Sequence, residues 1–539
     1  MSVLRMAWAA SLVIVATYCG GCASFLPSRQ APPEGAIPES FALGDVEGMR
    51  TNRWWQEFGS EELDALMQEA LTENLSLRQL WARLDQAGST TVKAASGLYP
   101  QLTVNGDASY TRTVTTVEGE PSASLKSQLG SAVISGVSKG ISAGLSNAGD
   151  SEDGEGSSGG ISVGGGGSST AGSSPSRVIR ETKSFGLSLA ASYEIDIWGR
   201  VASGYRAAQF DLEASRDDLE STAMTLAAEV VQRWLAIVEQ QQLLAILTEQ
   251  LETNKTYLEL VELRFRKSVV SALDVYQQRQ TVSDVQKQIP LVESQEQVLR
   301  HDLAVLLGKP PTASLAVGTY DLETMPAFPL TGVPAELLRN RPDVRAAFAR
   351  LQAADYRVAA ARADRLPAIR LSGGVGYSAD DIANVFDDWF VNLAGGLTAP
   401  LFDGRSREAE VQRTLAVVEE RLADYRLTVL TAIREVEDAI VQERKQAEYI
   451  DALGRQLADA RNALREASQR YRKALNDYLP VLAALERTQQ LTRSLVTARR
   501  DWLTLRVNLY RALGGTWTEQ LEPAPRLSDE DVAAKAVNG

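Results

Sequence analysis

Histidine is almost missing from this chain: His301 is the only one in 539 residues. A multi-histidine metal site is therefore excluded, and a histidine-based catalytic triad is unsupported. Cysteine is nearly missing too. Cys19 and Cys22 are the two, so no disulfide framework can exist beyond the first 22 residues. An excess of base is lacking as well: 55 Lys and Arg stand against 69 Asp and Glu, a net charge of −14. That is the opposite of what a nucleic-acid binder carries. No segment reaches the ~18 uninterrupted apolar residues of a membrane-spanning helix. If the chain crosses a bilayer, strands must do it.

What is present begins with an export signal: Arg5, an apolar core from Met6 to Val15, then small residues. Cys19-Gly20-Gly21-Cys22 resembles a bacterial lipoprotein box. On that reading residues 1–21 are removed, Cys22 carries an acyl anchor of palmitate type, and a lipidated segment runs over 22–60. An ordinary secretory signal with incidental cysteines is the alternative.

The stretch "SFGLSLAASYEIDIWGR", Ser184–Arg200, alternates strictly. Phe185, Leu187, Leu189, Ala191, Tyr193, Ile195 and Ile197 take one parity; Ser184, Gly186, Ser188, Ser192, Glu194 and Asp196 take the other. A strand sends alternate side chains to opposite faces, so one face is oily and one is wet. Three more stretches share the pattern, giving strands over about 99–113, 183–198, 366–378 and 389–402.

The chain also repeats itself. Leu306-Leu307-Gly308 is echoed by Ala512-Leu513-Gly514, and Arg264-Phe265-Arg266-Lys267 by Arg470-Tyr471-Arg472-Lys473, both at an offset of 206 (513 − 307; 470 − 264). Trp198-Gly199-Arg200 is echoed by Asp403-Gly404-Arg405 at 205 (404 − 199). Earlier in each copy, Leu98-Tyr99-Pro100 matches Arg365-Leu366-Pro367 at 267 (367 − 100). The difference, 267 − 205 = 62, is extra material in the first copy, visible as a Gly/Ser-rich loop over about 114–181. Such composition buries too little apolar surface to order itself; a lid over the molecule is the functional alternative. The copies occupy 61–320 and 334–515, with a tail over 516–539.

The remainder reads as helix. Val201 to about Arg266 has no proline, and Leu226, Val230, Trp234, Ile237, Leu244, Leu247, Leu251 and Leu258 form a narrow coiled-coil stripe. Ser406 to about Lys473 repeats it. Return helices follow over Leu273–Leu307 and Leu479–Leu513, and shorter helices over Glu61–Ser96 and Pro334–Arg365 precede the strands. The strands could pack as soluble hairpins on these helices. In a bilayer, a sheet must close with no free edge, and single-chain barrels start at ~8 strands. Four strands cannot close alone. Three copies would pool twelve and leave an open bore, with lipid on the oily face and water on the wet one.

The order of "NRWWQEFGSEELDALMQEALTENLSLRQ", "SYEIDIWGRV", "LLGKPP", "LLRNRPDVRAA", "PLFDGR" and "YRALGGTW" resembles the outer-membrane efflux protein family, the TolC-like and OprM-like outer-membrane factors, in its NodT-type lipoprotein branch. The resemblance implies a mainly α fold with a membrane β part: a trimeric twelve-stranded outer-membrane barrel continued by a long periplasmic α-helical barrel. It implies a passive exit duct that needs no cofactor. A periplasmic adaptor and an inner-membrane pump supply substrate and energy.

It also implies a periplasmic tip at Arg264–Val275 and Arg470–Val481, where Ser268, Val269, Val270, Ala474, Leu475 and Asn476 would meet the adaptor. Family members often have glycine where Ser268 and Ala474 stand. Leu479 matches a closing ring of leucines, and Asp274 and Asp477 are the acids nearest the position, Ala483, where some members carry a gating acid. An aspartate in such a place is more often a helix cap, and the tip residues could be mere turns. A non-conducting structural or adhesive lipoprotein, and a membrane-barrel enzyme, complete the set of readings. His301, between Arg300 and Asp302 in a helix, reads as a solvated residue and gives the enzyme no support.

Overall fold

The structure is a computed structural model that describes residues 53–117, 176–326, 337–473 and 475–521. The export signal, Cys22, most of the Gly/Ser-rich loop, Ala474 and the tail beyond Leu521 lie outside the described residues. The chain divides into two compact units, one formed by Pro100–Tyr193 with Arg370–Gly396 and the other by the remaining described residues.

The larger unit is helical. Its elements are α1 (Glu61–Glu73), α2 (Leu75–Ser96), α3 (Arg200–Arg266), α4 (Ala272–Gln286), α5 (Gln288–Leu306), α6 (Leu337–Asn340), α7 (Pro342–Ala363), α8 (Ser406–Arg472) and α9 (Leu479–Leu513). Helices α3 and α8 each run 67 residues, about 100 Å at ~1.5 Å per residue.

Three helices expected to be continuous are broken, each for a local reason. The expected Pro334–Arg365 helix divides at Arg341, whose backbone is extended (φ −95°, ψ 116°) immediately before Pro342. Asn74 divides the expected Glu61–Ser96 helix. Its backbone N–H closes α1 on Ala70, its Oδ1 accepts from Leu77 N at 3.0 Å to start α2, and its Nδ2 donates to the Leu306 carbonyl at 2.8 Å. One buried amide thus ties three helix ends, meeting the unsatisfied groups that helix termini leave. Pro290 divides Leu273–Leu307. It has no N–H for the Gln286 carbonyl, and α4 stops at that residue.

Most of the helices pack around α3. Helix α3 packs on α2, α5, α7 and α9; α8 packs on α7 and α9. Helix α8 has no comparable contact with α2, α4 or α5. Its central place explains why α3 buries more than the expected stripe: Leu219, Ala223, Ala227, Val231, Leu235 and Val238 are buried beside Leu226, Val230, Trp234, Ile237 and Leu247. Helices α5 and α8 both leave apolar side chains uncovered. Helix α5 exposes Leu291, Val298 and Val305 at heptad spacing, and α8 exposes Leu427, Leu430, Val441 and Tyr449.

The largest core cluster takes in segments outside the expected repeat limits. Trp54, Trp55 and Phe58, in a short 3-10 turn, are buried with Trp234, Tyr510 and Trp517. Trp54 stacks on Tyr510 at 5.2 Å, and Trp55 meets Trp517 edge-on at 4.9 Å.

The repeat holds in three dimensions, and the structure corrects one marker. Gly199 and Arg405 both take the left-handed conformation immediately before α3 and α8, with φ of 73° and 71°. Gly404 is left-handed too, at φ 61°, but Arg405 is the residue that borders α8 as Gly199 borders α3, and by helix start the offset is 206 (405 − 199), like the other two markers. Asn74 and Arg341, the residues before α2 and α7, stand 267 apart (341 − 74). Gly308 and Gly514, also 206 apart, both have positive φ and back onto a carbonyl. A Cβ would lie 2.4 Å from the Glu73 oxygen in one case and 2.6 Å from the Asn340 oxygen in the other.

The smaller unit holds a four-stranded sheet in the order β1 (Gln101–Val117), β2 (Ser176–Ile195), β3 (Ala368–Ala379), β4 (Trp389–Thr398). Both β1 and β2 reach further into the Gly/Ser-rich region than expected. Two strand ends fall short of the alternating pattern. β2 stops at Ile195 because Asp196 turns to accept from Ala202 N at 2.7 Å, so Ile197 and Trp198 belong to a turn. β4 stops at Thr398, two residues before Pro400, which has no N–H for a ladder.

Candidate functional site

Two places carry the chemistry of interest: the sheet and the ends of the helical hairpins. In the sheet, β1 and β2 pair antiparallel with Leu102 opposite Ala191, Val104 opposite Leu189, Gly106 opposite Leu187 and Ala108 opposite Phe185. The other parity pairs Thr103 with Ala190, Asn105 with Ser188, Asp107 with Gly186 and Ser109 with Ser184. One face is thus apolar and the other polar along the whole pair. The apolar face is uncovered: Leu102, Val104, Leu187, Leu189, Leu371, Val375 and Leu393 are all exposed, Leu393 at 85%. From Leu102 to Tyr110 it runs about 27 Å at ~3.4 Å per residue, close to a membrane barrel's apolar band. It ends in Tyr110 opposite Lys183, then Arg112 paired with Glu181 at 3.5 Å. The aromatic and the charges fall where a band would meet headgroups.

The polar face is narrow where strands approach. Asp107 stands over Gly186, where a Cβ would lie 2.5 Å from its Oδ1. Among the described residues β1 and β4 are the sheet's two edges, each with one side unpaired.

At the other candidate place, α3 turns into α4 through Ser268, whose φ is 57°. Its N–H donates to the Phe265 carbonyl at 2.8 Å, and the Val269 N–H reaches the Arg264 carbonyl at 3.0 Å. These are the bonds of a helix end that favours glycine at the left-handed position. Serine occupies it here, so the missing glycine does not prevent the reversal. In the second hairpin Leu475 N donates to the Arg470 carbonyl at 2.9 Å, the counterpart bond 206 residues on (475 − 269). Ala474 itself lies outside the described residues.

The expected tip residues separate by environment. Ser268, Val269 and Leu475 are exposed, Val269 at 63% and Leu475 at 70%. Val270 packs against the cluster of Val261, Val275, Tyr471, Tyr478, Val481 and Leu482 that joins the two hairpins. Asn476 is half-buried, and its buried Oδ1 has no partner among the described residues. Of the expected gate residues, Asp477 and Leu479 are exposed. Asp274 closes a capping box: its Oδ2 accepts from Ser271 N at 2.9 Å and from Ser271 Oγ at 2.8 Å.

Behind this surface lies a polar chain that sequence reasoning missed. Tyr478, fully buried, donates to Gln278 Oε1 at 2.5 Å; Gln278 Nε2 donates to the Asn254 carbonyl at 2.8 Å; Asn254 Nδ2 donates to Gln489 Oε1 at 3.1 Å. Burial, with Tyr471, Tyr257, Glu486 and Asp274 nearby, pushes the Tyr478 phenol well above its usual range. Arg264 stacks over the Tyr471 ring at 4.1 Å. The "RFRK" and "RYRK" repeats were a visible signal for that stack, whereas amides inside a helix stripe look like surface residues.

A family model described as outer membrane efflux protein matches residues 160–309 and 333–515. The chain belongs to the outer membrane efflux protein family. It is an export protein of the outer membrane that extends into the periplasm. Pyoverdine export outer membrane protein OpmQ of Pseudomonas putida is 32% identical over 495 residues, covering 90% of this chain and 92% of that one. OpmQ of Pseudomonas aeruginosa is 31% identical, covering 93% and 94%. Among solved structures, the outer-membrane channel OprN matches with a TM-score of 0.75 at 24% identity, over 92% of this chain and 100% of the other. The efflux-protein fold thus accounts for both units of this chain. No described helix is long and apolar enough to cross a membrane.

Proposed function

We propose that three copies of this efflux protein close one passive exit duct, fed by an inner-membrane pump through a periplasmic adaptor. One observation carries the reading: a sheet with an uncovered apolar face and two unpaired edges. In lipid each unpaired backbone group costs several kcal/mol, so such edges must find other strands. Other copies of the chain supply them. The uncovered apolar side chains of α5, Leu291, Val298 and Val305, and of α8, Leu427, Leu430 and Val441, support the same closure.

On this reading Ser268, Val269, Val270, Ala474, Leu475 and Asn476 meet the adaptor, with the exposed Val269 and Leu475 as its apolar anchors. Leu479 and Asp477 ring the aperture, three of each, and the acids favour cations as charged rings do in other pores. Asp274 lends its charge to the ring while it holds the start of α4. Cys22 anchors the chain through an acyl group, and the repeats act as the two halves of each protomer's wall. The relatives named for pyoverdine export favour a siderophore-type cargo.

The test is planar-bilayer conductance of the purified protein, with Asp477→Ala and Leu479→Ala variants to widen the aperture. Stepwise currents that prefer cations, rising in the Leu479→Ala variant and losing preference in Asp477→Ala, are expected. Silence from all three proteins would leave a non-conducting scaffold.

A further inference from the structure

A cavity of about 410 Å³ opens in the helical unit between α3, α5, α8 and α9. That volume lies within the range of small-molecule sites. One wall is apolar: Leu243, Leu247, Val292 and the ring of Tyr449. Gln288, Gln490, Ser494 and Thr497 add hydrogen-bonding groups, and Arg493 supplies a charge.

Arg493 is the unusual member. Its guanidinium has five N–H donors, and its one partner among the described residues is the Gln250 Oε1. No carboxylate among the described residues lies within 4.0 Å of it, whereas the half-buried Arg345 and Arg500 each hold one. Burial holds its guanidinium below the usual arginine range. A cation taken partly out of water without a counter-charge is costly, and an anion beside it removes that cost. Asp501 lines the same cavity but cannot serve. Its carboxylate is held by Arg500 at 2.9 Å, and it sits eight residues further along α9, ~12 Å up the helix axis.

We propose that this cavity binds an aromatic or branched organic acid, with the carboxylate on Arg493 and the apolar body against Leu243, Leu247, Val292 and Tyr449. The size, the one apolar wall and the spare donors together select this class. A neutral hydrocarbon leaves Arg493 uncompensated, and an inorganic anion leaves the apolar wall wet. The site is independent of the adaptor contacts proposed above.

The probe is 2-naphthoate, with the neutral 2-naphthamide as its isostere, measured by equilibrium dialysis against the full-length protein in a non-ionic detergent. Saturable binding of the acid is expected, at least tenfold tighter than the amide. Arg493→Gln is expected to bring the acid down to the level of the amide, and Arg493→Lys to retain part of the difference. Thr497→Phe, which fills the cavity and keeps the charge, abolishes both. Arg499→Gln, whose arginine pairs with Glu323 at 2.5 Å outside the lining, leaves binding unchanged. Equal binding of acid and amide overturns the proposal, as does unchanged binding in Arg493→Gln or Thr497→Phe. No saturable binding overturns it too, and means that another part of the assembled protein fills the space.

Discussion

The phenol of Tyr478 donates to the amide oxygen of Gln278 at 2.5 Å, joining the two helical hairpins across 200 residues of chain. Both residues are buried, at 1% and 0% exposure, so water cannot replace the bond once it is lost. Tyr478→Phe leaves the Gln278 oxygen unsatisfied and is expected to cost ~1–3 kcal/mol. Denaturant melts followed by circular dichroism check this, with hydrogen exchange locating the loss at the hairpin ends. The phenol is held above its usual range, so the native state keeps a proton that the unfolded chain gives up. Stability therefore falls as pH rises through about 10, and Tyr478→Phe removes that part of the fall.

Asp217 sets a second pH dependence, of the same sign but lower on the scale. Burial, opposed by its bond to Arg345 at 2.8 Å, pushes its carboxyl up to about 6. With the folded value above the unfolded one, the native state binds the proton more tightly. The contribution is fully present below about pH 4, is lost as pH rises towards 6, and stays lost above it. Asp217→Asn is expected to flatten this part of a melting-temperature profile taken between pH 4 and 7. An unchanged profile would mean that Arg345 outweighs burial.

The pair Arg506–Glu443 locks α9 to α8 from inside. Its Nε stands 3.1 Å from both carboxylate oxygens, and both side chains are 4% exposed. Arg506→Met strands the carboxylate and is expected to cost ~3–5 kcal/mol. Adding Glu443→Leu should recover most of that, because removing both charges removes the burial cost with them. If the double variant were as weak as the single one in thermal melts, shape rather than charge would hold this contact.

Ser268 holds a left-handed backbone at φ 57°, which costs a residue with a Cβ ~1–2 kcal/mol and glycine almost nothing. Ser268→Gly is expected to raise the melting temperature slightly, and Ser268→Val to lower it by several degrees. The order of the three proteins in one calorimetric series checks the turn geometry directly.

Much of this was legible from residues alone. Leu479–Leu513 is helical to the residue, because Pro480 suits a first turn and Gly514 ends the helix at positive φ. Alternation gave the two faces of all four strands. It overran at Ile197, because a turn can carry the parity of a strand for two more residues. The break after Gln286 was signalled by Pro290 and overlooked within a helical pattern. The repeat is visible in the residues, and glycine pairs Gly199 with Gly404; the start of α8 shifts the match by one, to Arg405. The Tyr478–Gln278–Asn254–Gln489 chain was illegible, since an amide in a heptad gap reads the same buried or solvated until its neighbours are known.

The central claim is that the free edges of one copy are closed by others. Native mass spectrometry of the detergent-released protein tests it most directly. The account predicts a single species at three times the mass of one chain. A stable species of one chain, with its sheet edges unpaired, would contradict it.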